Sequence, residues 1–206
     1  MQTKEETNKI KLIGTIASSL VLDYENYKER FFTFELETKR LSDFSDQLII
    51  CVSENLFDIS QLTVGKRVYV EGQIRSFNRY DASRGKTRVL IQVMAQDIVD
   101  VDESKEDLNY VYLDSYICKK PNHRKTLLGR EITDLLLAVN RQYDKSDYIP
   151  SIAWERNARF SGVLDVGEHL IVEGRLQSRE YSKTLENDEV EIRIAYEVSI
   201  SNLEIA

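Results

Sequence analysis

Apolar and polar residues alternate along most of this chain, and a period of two is typical of strands that bury one face. In the first half, alternating segments cover residues 10–18, 31–37, 47–52, 67–77 and 87–99. The second half has the same order, with segments at 110–117, 132–139, 148–154, 169–181 and 189–203. A segment long enough for one to two helical turns separates the third strand from the fourth in each half. The pattern therefore predicts five strands and one short helix per half.

The two halves also repeat each other in sequence. LTVGKRVYVEGQIRS (62–76) returns as LDVGEHLIVEGRLQS (164–178), FELETKR (34–40) is matched by LLLAVNR (135–141), and NKIKL (8–12) by NYVYL (109–113). A spacing of about 100 residues is too long for a solenoid repeat, so it indicates a duplicated domain. We expect a first domain at residues 8–102 and a second at 108–206, joined by an acid-rich connection.

The number and order of these elements predict a small closed barrel in each half. Five strands with a short helix between the third and the fourth is the arrangement of the OB-fold. Gly72 and Gly174 lie at equivalent places in the long fourth strands, where a small barrel needs a tight bend. The predicted fold class is all-β, with two tandem OB-fold barrels.

The charge of the chain is unevenly distributed. The net charge of −7 on 206 residues argues at first against a polyanion as partner. However, residues 115–183 contain 12 Lys and Arg against 9 Asp and Glu, whereas acids gather at 99–107 and 185–191. Because a ligand responds to the local field more than to the total charge, the second half can still present a basic face.

Sequence signatures of catalysis and of metal binding are absent. The chain has no P-loop, no G-x-S-x-G and no H-E-x-x-H, and His123 and His169 have no second ligand at zinc spacing. We therefore expect a protein that is not an enzyme and needs no cofactor. Cys51 and Cys118 are predicted to be free thiols in a reducing cytoplasm. No signal peptide or membrane-spanning run is expected, because no apolar segment approaches about 18 residues.

Residues 147–160, DYIPSIAWERNARF, combine rings and positive charges on one short strand and the turn after it. Tyr148 and Trp154 share one face of the strand, and the other face carries Ile149, Ser151 and Ala153. Tyr143 and Tyr181 can join the ring-bearing side from neighbouring loops. Rings that stack on bases and cations that bind phosphates are what a sequence-tolerant binder of single strands requires. The candidate phosphate ligands close by in sequence are Arg141, Lys145, Arg156, Arg159, Arg175, Arg179 and Lys183.

With these segments in place, the sequence resembles the bacterial single-stranded DNA-binding protein family. The second half carries LAVNRQY, SDYIPSIAW and VGEHLIVEGRLQSREY in the order and spacing of that family, and the first half carries KLIGTI, FELET and VGKRVYVEGQIRS. The resemblance implies OB barrels that coat and protect single-stranded DNA in replication, recombination or repair, in the cytoplasm at the nucleoid. Because the family assembles four barrels, a chain with two is expected to form a homodimer. The positions at which family members stack bases match Tyr143, Tyr148, Trp154 and Tyr181.

The chain departs from the family pattern in two places. In the first half, Gln47 and Ser53 occupy the third-strand stacking positions, and the nearby rings of Phe44, Phe77 and Tyr80 do not align with them. The first domain is therefore expected to act mainly as scaffold. The family usually ends in a flexible linker with an acidic tip that recruits replication or repair proteins, and the residues SNLEIA do not resemble that tip.

Two other functions fit the same sequence. One is a protein-interaction module resembling the primosomal OB proteins, which would dock replication proteins. The other is an OB protein that binds RNA. Salt-dependent binding of oligothymidine separates DNA binding from the first alternative, and competition between DNA and RNA separates it from the second.

Overall fold

The computed structural model describes residues 7–81, 85–184 and 190–206. Within this part, the first half contains the strands β1 (Asn8–Ile16), β2 (Val21–Asn26), β3 (Glu29–Lys39), β4 (Ser45–Ser53), β5 (Arg67–Asp81) and β6 (Lys86–Asp100). The second half contains β7 (Leu108–Ile117), β8 (Asn122–Lys125), β9 (Glu131–Asn140), β10 (Ser146–Trp154), the helix α1 (Glu155–Ser161), β11 (His169–Thr184) and β12 (Val190–Ile205).

Strand pairing closes each half into a barrel. β1 pairs with β3 and β5, β3 with β4, β5 with β6, and a parallel pairing of β4 with β6 completes the ring. The strands β7, β9, β10, β12 and β11 close in the same way, with β10 and β12 parallel. The prediction of two tandem OB-fold barrels is confirmed.

Two details differ from the sequence-based prediction. In each barrel, the connection after the first strand forms a short additional strand, β2 or β8. This strand pairs as a hairpin with the strand that follows it, β3 or β9. In addition, the helix expected in the first half is a single 3₁₀ turn, Ile59–Gln61, held by the Asp58 side chain, which accepts from the Ser60 N–H. Among the described residues, no helix is long and apolar enough to span a bilayer.

The barrel interiors explain the alternation seen in the sequence. Most inward positions of the barrel strands are apolar and fully or almost fully buried, as in Ile10 and Leu12 of β1 and Val111 and Leu113 of β7. Burying one such side chain contributes about 1.5–3 kcal/mol relative to leaving it in water. Cys51 is also buried, and burial raises the pKa of its thiol to about 12. Cys51 and Cys118 are both free, as predicted.

A β-bulge immediately before Gly72 in β5 and Gly174 in β11 bends each long strand. A Cβ on Gly72 would overlap the carbonyl oxygen of Met94, and one on Gly174 would overlap that of Ser199. Only glycine permits this approach of two backbones, so the tight bends predicted for the barrels are present at both positions.

The two barrels join edge to edge through their first strands. β1 and β7 run antiparallel, from Asn8 opposite Leu113 to Ile13 opposite Leu108. Because both strands also belong to their own barrels, the twelve described strands form one continuous sheet.

Two buried aspartates fasten the barrels at equivalent points, and we call them the interbarrel carboxylates. Asp46 in β4, which is 1% exposed, accepts from Nη2 of Arg40 at 2.5 Å. It also accepts from the second barrel, from Nη1 of Arg175 at 2.9 Å and the N–H of Ser178 at 2.8 Å. Asp46 therefore holds one arginine of its own barrel and two donors of the other.

Asp147 in β10 repeats this arrangement in the opposite direction. It is fully buried, and it accepts from Nη1 of Arg75 at 2.8 Å and from the N–H of Ser76 at 2.9 Å, both in the first barrel. Nε of Arg141, from its own barrel, lies 3.4 Å from the same carboxylate. A buried carboxylate that is paired and hydrogen-bonded in this way is costly to disrupt, because its removal leaves buried cations without a counter-charge.

We expect Asp147→Asn to lower the free energy of unfolding by about 2 kcal/mol, because two guanidinium groups would then face a neutral amide. Urea denaturation measures the change. Asp165→Asn, at an exposed turn, is the matched control and should shift the value by less than about 0.5 kcal/mol. Equal stabilities of the two variants would show that the carboxylate does not hold the barrels together.

Candidate nucleic-acid interface

β10 carries the stretch of rings and cations and forms part of the wall of the second barrel. It pairs with β9 along its full length. Its inner face is buried and consists of Ile149, Ser151 and Ala153. On the outer face, Tyr148 is 49% exposed and Trp154 is partly exposed. The rings therefore lie outside the barrel, as expected from the sequence, but Ile152, which shares their face of the strand, is buried at 5% exposure.

Trp154 is held in a defined orientation at the end of β10. Its indole Nε1 donates to Oγ of Ser199 at 3.3 Å. The guanidinium carbon of Arg130 lies 5.7 Å from the centre of the ring. Because the N–H is satisfied and a cation lies over the ring, the side chain is oriented before a ligand arrives, and less ordering is needed on binding.

Trp154 lines a groove of about 700 Å³ that both barrels build, and we call it the Trp154 groove. The rest of its lining includes Arg130, Arg175, Arg179, Glu180 and Ile194 from the second barrel, and Arg40, Phe44 and Gln47 from the first. Phe44 lies in the loop between β3 and β4, and it is 70% exposed. Its ring is therefore presented to a ligand rather than packed in a core.

A second groove, of about 670 Å³, lies at the equivalent position of the other barrel. Its floor comes from the first barrel and includes Gln73 and Arg75 of β5. Its rim comes from the loop between β9 and β10 of the second barrel, with Arg141, Tyr143 and Lys145. Tyr143 is 89% exposed. We call this the Tyr143 groove.

Each groove receives a ring from a loop of one barrel that lies over the other barrel. The β3–β4 loop of the first barrel places Phe44 beside Trp154, and the β9–β10 loop of the second barrel places Tyr143 beside Arg75. Each loop is closed by a backbone hydrogen bond, from the N–H of Arg40 to the carbonyl of Phe44 at 2.9 Å, and from the N–H of Arg141 to the carbonyl of Lys145 at 2.7 Å. Each loop is also anchored at the seam, because its arginine binds an interbarrel carboxylate. Tyr143 and Trp154 belong to one barrel but line different grooves.

The other two predicted stacking residues lie outside the lining of both grooves. Tyr148 is at the seam between the barrels, where its N–H donates to Oγ of Ser76 at 2.9 Å. Tyr181 is 37% exposed on β11 and lies opposite Arg193 of β12, which hydrogen-bonds to it. The four predicted rings therefore do not line one groove.

Several of the predicted phosphate ligands are engaged within the protein. Arg141 and Arg175 bind the interbarrel carboxylates. Burial, together with repulsion from Arg40, lowers the pKa of Arg175 from its usual value despite the nearby carboxylate. Arg159 forms an ion pair with Glu131. These contacts give the arginines a structural role in addition to any contact with a ligand.

The remaining predicted cations are more accessible. Arg179 lines the Trp154 groove, and its side chain is 54% exposed, with the Glu197 carboxylate at 3.4 Å. Lys145 lies at the Tyr143 groove, and Arg156 is exposed on α1 beside Trp154. The side chain of Lys183 lies outside the described part of the structure.

The first barrel has no ring on its own equivalent strand. Ser53 is buried and hydrogen-bonds to Glu29, while Nε2 of Gln47 donates to Glu37 at 2.9 Å. Ser53 serves the barrel itself, whereas Gln47 also lines the Trp154 groove, and its N–H donates to Oγ of Ser178 in the second barrel at 3.0 Å. Phe44 supplies a ring from the loop instead.

Sequence reasoning missed three residues of the Trp154 groove. Phe44 was noticed as a nearby ring but does not align with the family positions, whereas Arg40 and Arg130 were not considered. Arg130 follows the glycine turn between β8 and β9, and no periodicity places that turn over Trp154. Within the described residues, no group of three or more His, Cys, Asp or Glu side chains could hold a metal ion.

Residues 108–205 match the model of the Single-strand binding protein family. This range covers the second barrel, and the resemblance noted in the sequence is confirmed there. The comparison with curated proteins finds no match.

Two solved structures resemble the chain over nearly its whole length. One is the wild-type single-stranded DNA binding protein from Thermus aquaticus, with 22% identity and a TM-score of 0.76, covering 97% of this chain and 92% of that one. The other is a deletion mutant of that protein, with 22% identity and a TM-score of 0.77, covering 97% and 94%. At this identity the likeness establishes the tandem-barrel fold. The N-terminal domain of PriB protein from Thermoanaerobacter tencongensis is 41% identical over 48% of this chain and 100% of that one, with a TM-score of 0.42.

Because Phe44 and Trp154 line one groove, we expect Phe44→Ala and Trp154→Ala each to weaken oligothymidine binding about tenfold. The loss of one ring–base stack is worth roughly 1–3 kcal/mol. Anisotropy of a labelled oligonucleotide measures the affinity, and circular dichroism checks that each variant is folded. Leu41→Ala is the matched control, since Leu41 is fully exposed in the same loop but lies outside the groove lining. If Phe44→Ala binds as tightly as Leu41→Ala, the first barrel does not contribute a stacking ring.

Proposed function

We propose that this chain binds single-stranded DNA without catalysing a reaction, and that it coats and protects the strand during replication, recombination or repair. The observation that carries the proposal is the Trp154 groove, in which two rings and four arginines from both barrels line one surface. The family match of the second barrel supports the same function. We propose that the protein works where such strands occur, at the nucleoid in the cytoplasm.

The chemistry of the groove suits a single strand of any sequence. Every base has a flat face that can stack on an indole or a phenyl ring, so stacking tolerates any sequence. The cations supply the complement to the phosphates. Binding therefore follows the backbone and the base faces, as coating a strand of arbitrary sequence requires.

We divide the cations of the site by their contacts. Arg179, Arg156 and Lys145 are proposed to bind phosphates directly, because they are exposed and border the grooves. Arg141 and Arg175 are proposed to act mainly as positioning residues, because each is bound to a buried carboxylate. Tyr148 and Tyr181 are proposed as further stacking positions along the exposed side of the second barrel. Lys183 stays a candidate phosphate ligand from the sequence.

The two alternative functions predict different binding behaviour. A protein-docking module would bind oligothymidine weakly or not at all. An RNA-binding protein would prefer oligouridine to oligodeoxyuridine of equal length, a pair that differs only in the 2′-hydroxyl group. A fluorescence titration with oligothymidine of increasing length, followed by this competition, tests the proposed function, and Trp154 serves as the probe because a stacked base should quench it.

We also propose that two chains assemble, so that four barrels surround the DNA. The outer face of the joined sheet β5–β1–β7–β11 supports this. It spans both barrels and carries charges of both signs, among which Lys9 and Glu71 are paired with each other at 2.8 Å, and Lys11 and Glu173 lie on the same face. Replication or repair proteins are further candidate partners on the grounds of the function alone.

Affinity for oligothymidine should fall linearly in a plot of log K against log salt, with a slope of about 0.7 per phosphate contact. Arg179→Gln and Arg156→Gln should each reduce that slope by about 0.7, because each removes one contact. Lys105→Gln, which removes one charge from the connection between the barrels, should leave the slope unchanged. Affinity that does not vary between low and physiological salt would contradict a groove that follows phosphates.

Sedimentation at micromolar concentration should give twice the 24.0 kDa mass of the chain. Light scattering over a dilution series would show whether the dimer persists. A single species with the mass of one chain throughout would contradict the proposed assembly of four barrels, and it would leave binding by one chain to be tested separately.

A further inference from the structure

A strongly basic hairpin projects from the second barrel beside Trp154. Residues 119–130, KKPNHRKTLLGR, contain five Lys and Arg and no Asp or Glu. They include β8, which pairs with the start of β9, and the turn between the two strands. All five cations are exposed. We call this segment the basic hairpin.

The equivalent hairpin of the first barrel has a different charge. Residues 21–30, VLDYENYKER, contain three acids and two cations. Arg30 is bound to Glu54, and Asp23 is bound to Arg79. The hairpin itself is therefore a repeated structural element, but its charge is not repeated. The fold does not require the cations of the second hairpin.

Three lysines of the basic hairpin form no ion pair in the described chain, and one of them, Lys125, lies opposite Glu131 across the β8–β9 pairing. Arg124 is bound to Asp134 at 2.7 Å, and Arg130 lies over Trp154 with Glu155 at 4.0 Å. Within the described residues, no ion pair holds the side chains of Lys119, Lys120 or Lys125. Like charges placed this close repel each other, so an unbound hairpin gains nothing from them. Their arrangement fits a polyanion.

The tip of the hairpin is apolar and ordered. Leu127 and Leu128 are almost completely exposed. They are held in a tight turn, in which the N–H of Thr126 donates to the carbonyl of Arg130 at 2.8 Å and the N–H of Gly129 donates to the carbonyl of Thr126 at 2.9 Å. Two leucines flanked by cations can cover the apolar face of an unstacked base while the cations contact the phosphates on either side.

We propose that the basic hairpin is a second contact element for single-stranded DNA, which receives the strand as it leaves the Trp154 groove. Lys119, Lys120 and Lys125 bind phosphates, and Leu127 and Leu128 pack against a base. Arg130 links the two surfaces, because it belongs to the hairpin and also lines the groove over the indole. The proposal rests on the proposed function. It adds that the strand follows an asymmetric path, since the equivalent hairpin of the first barrel has no excess of cations.

An acidic segment of a second copy is the competing occupant. Residues 97–107, which form the end of β6 and the connection between the barrels, contain six acids and one lysine. Two of those acids are already bound in their own chain, Asp100 to Lys66 and Asp107 to Arg67. In addition, no residue of that segment lines the Trp154 groove. Continuity with the groove therefore favours DNA.

The test compares two triple variants with the same change in net charge. In one, Lys119, Lys120 and Lys125 become glutamine. In the control, three exposed lysines of the first barrel and the connection, Lys28, Lys39 and Lys105, become glutamine. Affinity and salt slope are measured with the shortest oligothymidine that fully quenches Trp154 and with one several times longer.

On the long oligothymidine, the hairpin variant should bind roughly ten- to a hundredfold more weakly at about 0.1 M salt, and its salt slope should shrink by about 2, since three contacts of about 0.7 each are lost. On the short oligothymidine it should bind and quench like wild type. The control should match wild type on both. Leu127→Ala with Leu128→Ala should weaken only the long complex and leave the salt slope unchanged.

Wild-type affinity and slope of the hairpin variant on the long strand would overturn the proposal. An equal loss on the short and long strands would also overturn it, because the lysines would then act on the groove itself. A change in sedimentation mass with unchanged DNA binding would assign the hairpin to a second copy instead. If wild-type protein quenches with neither strand, the proposed function fails, and the hairpin proposal fails with it.

Discussion

The antiparallel pairing of β1 with β7 is the contact on which the rest of the molecule depends. Each strand closes its own barrel and also joins the other barrel, so the two units cannot rotate without breaking a backbone ladder. The interbarrel carboxylates then fix the seam from both sides, since Asp46 and Asp147 each take an arginine and an amide from the opposite barrel. Together, these contacts make one rigid body from a repeated sequence.

The candidate site follows directly from that seam. Arg40 and Arg141 anchor the β3–β4 and β9–β10 loops, so each loop lies over the face of the other barrel. Phe44 therefore lines the same groove as Trp154, and Tyr143 lines a groove with residues of the first barrel. The same seam reduces the charge available to a ligand, because Asp46 and Asp147 each offset one of the two arginine charges beside them. A ligand must depend more on the exposed cations around the grooves.

The two barrels share a backbone but not a surface. Trp154 lies where the first barrel has the buried Ser53, and the cation-rich hairpin of the second barrel corresponds to a mixed-charge hairpin in the first. Inward residues are constrained by close packing, which fixes their size and polarity. Outward residues have no such constraint, so their chemistry reflects what each surface contacts. The differences between the repeats are for this reason more informative about function than their similarities.

The sequence by itself determined the two barrels, the bends at Gly72 and Gly174 and the outward face of Trp154, because strand alternation and backbone sterics are local properties. It also indicated the family through the ordered segments of the second half. It could not show that Tyr143 and Trp154 line different grooves, that Phe44 joins Trp154, or that Arg141 and Arg175 are bound to buried carboxylates. Those relations join residues that lie up to about 130 positions apart. These relations depend on the β1–β7 pairing, which fixes the position of one barrel against the other. Side chains far apart in sequence come into contact because of that tertiary arrangement, and no local pattern in the sequence predicts it.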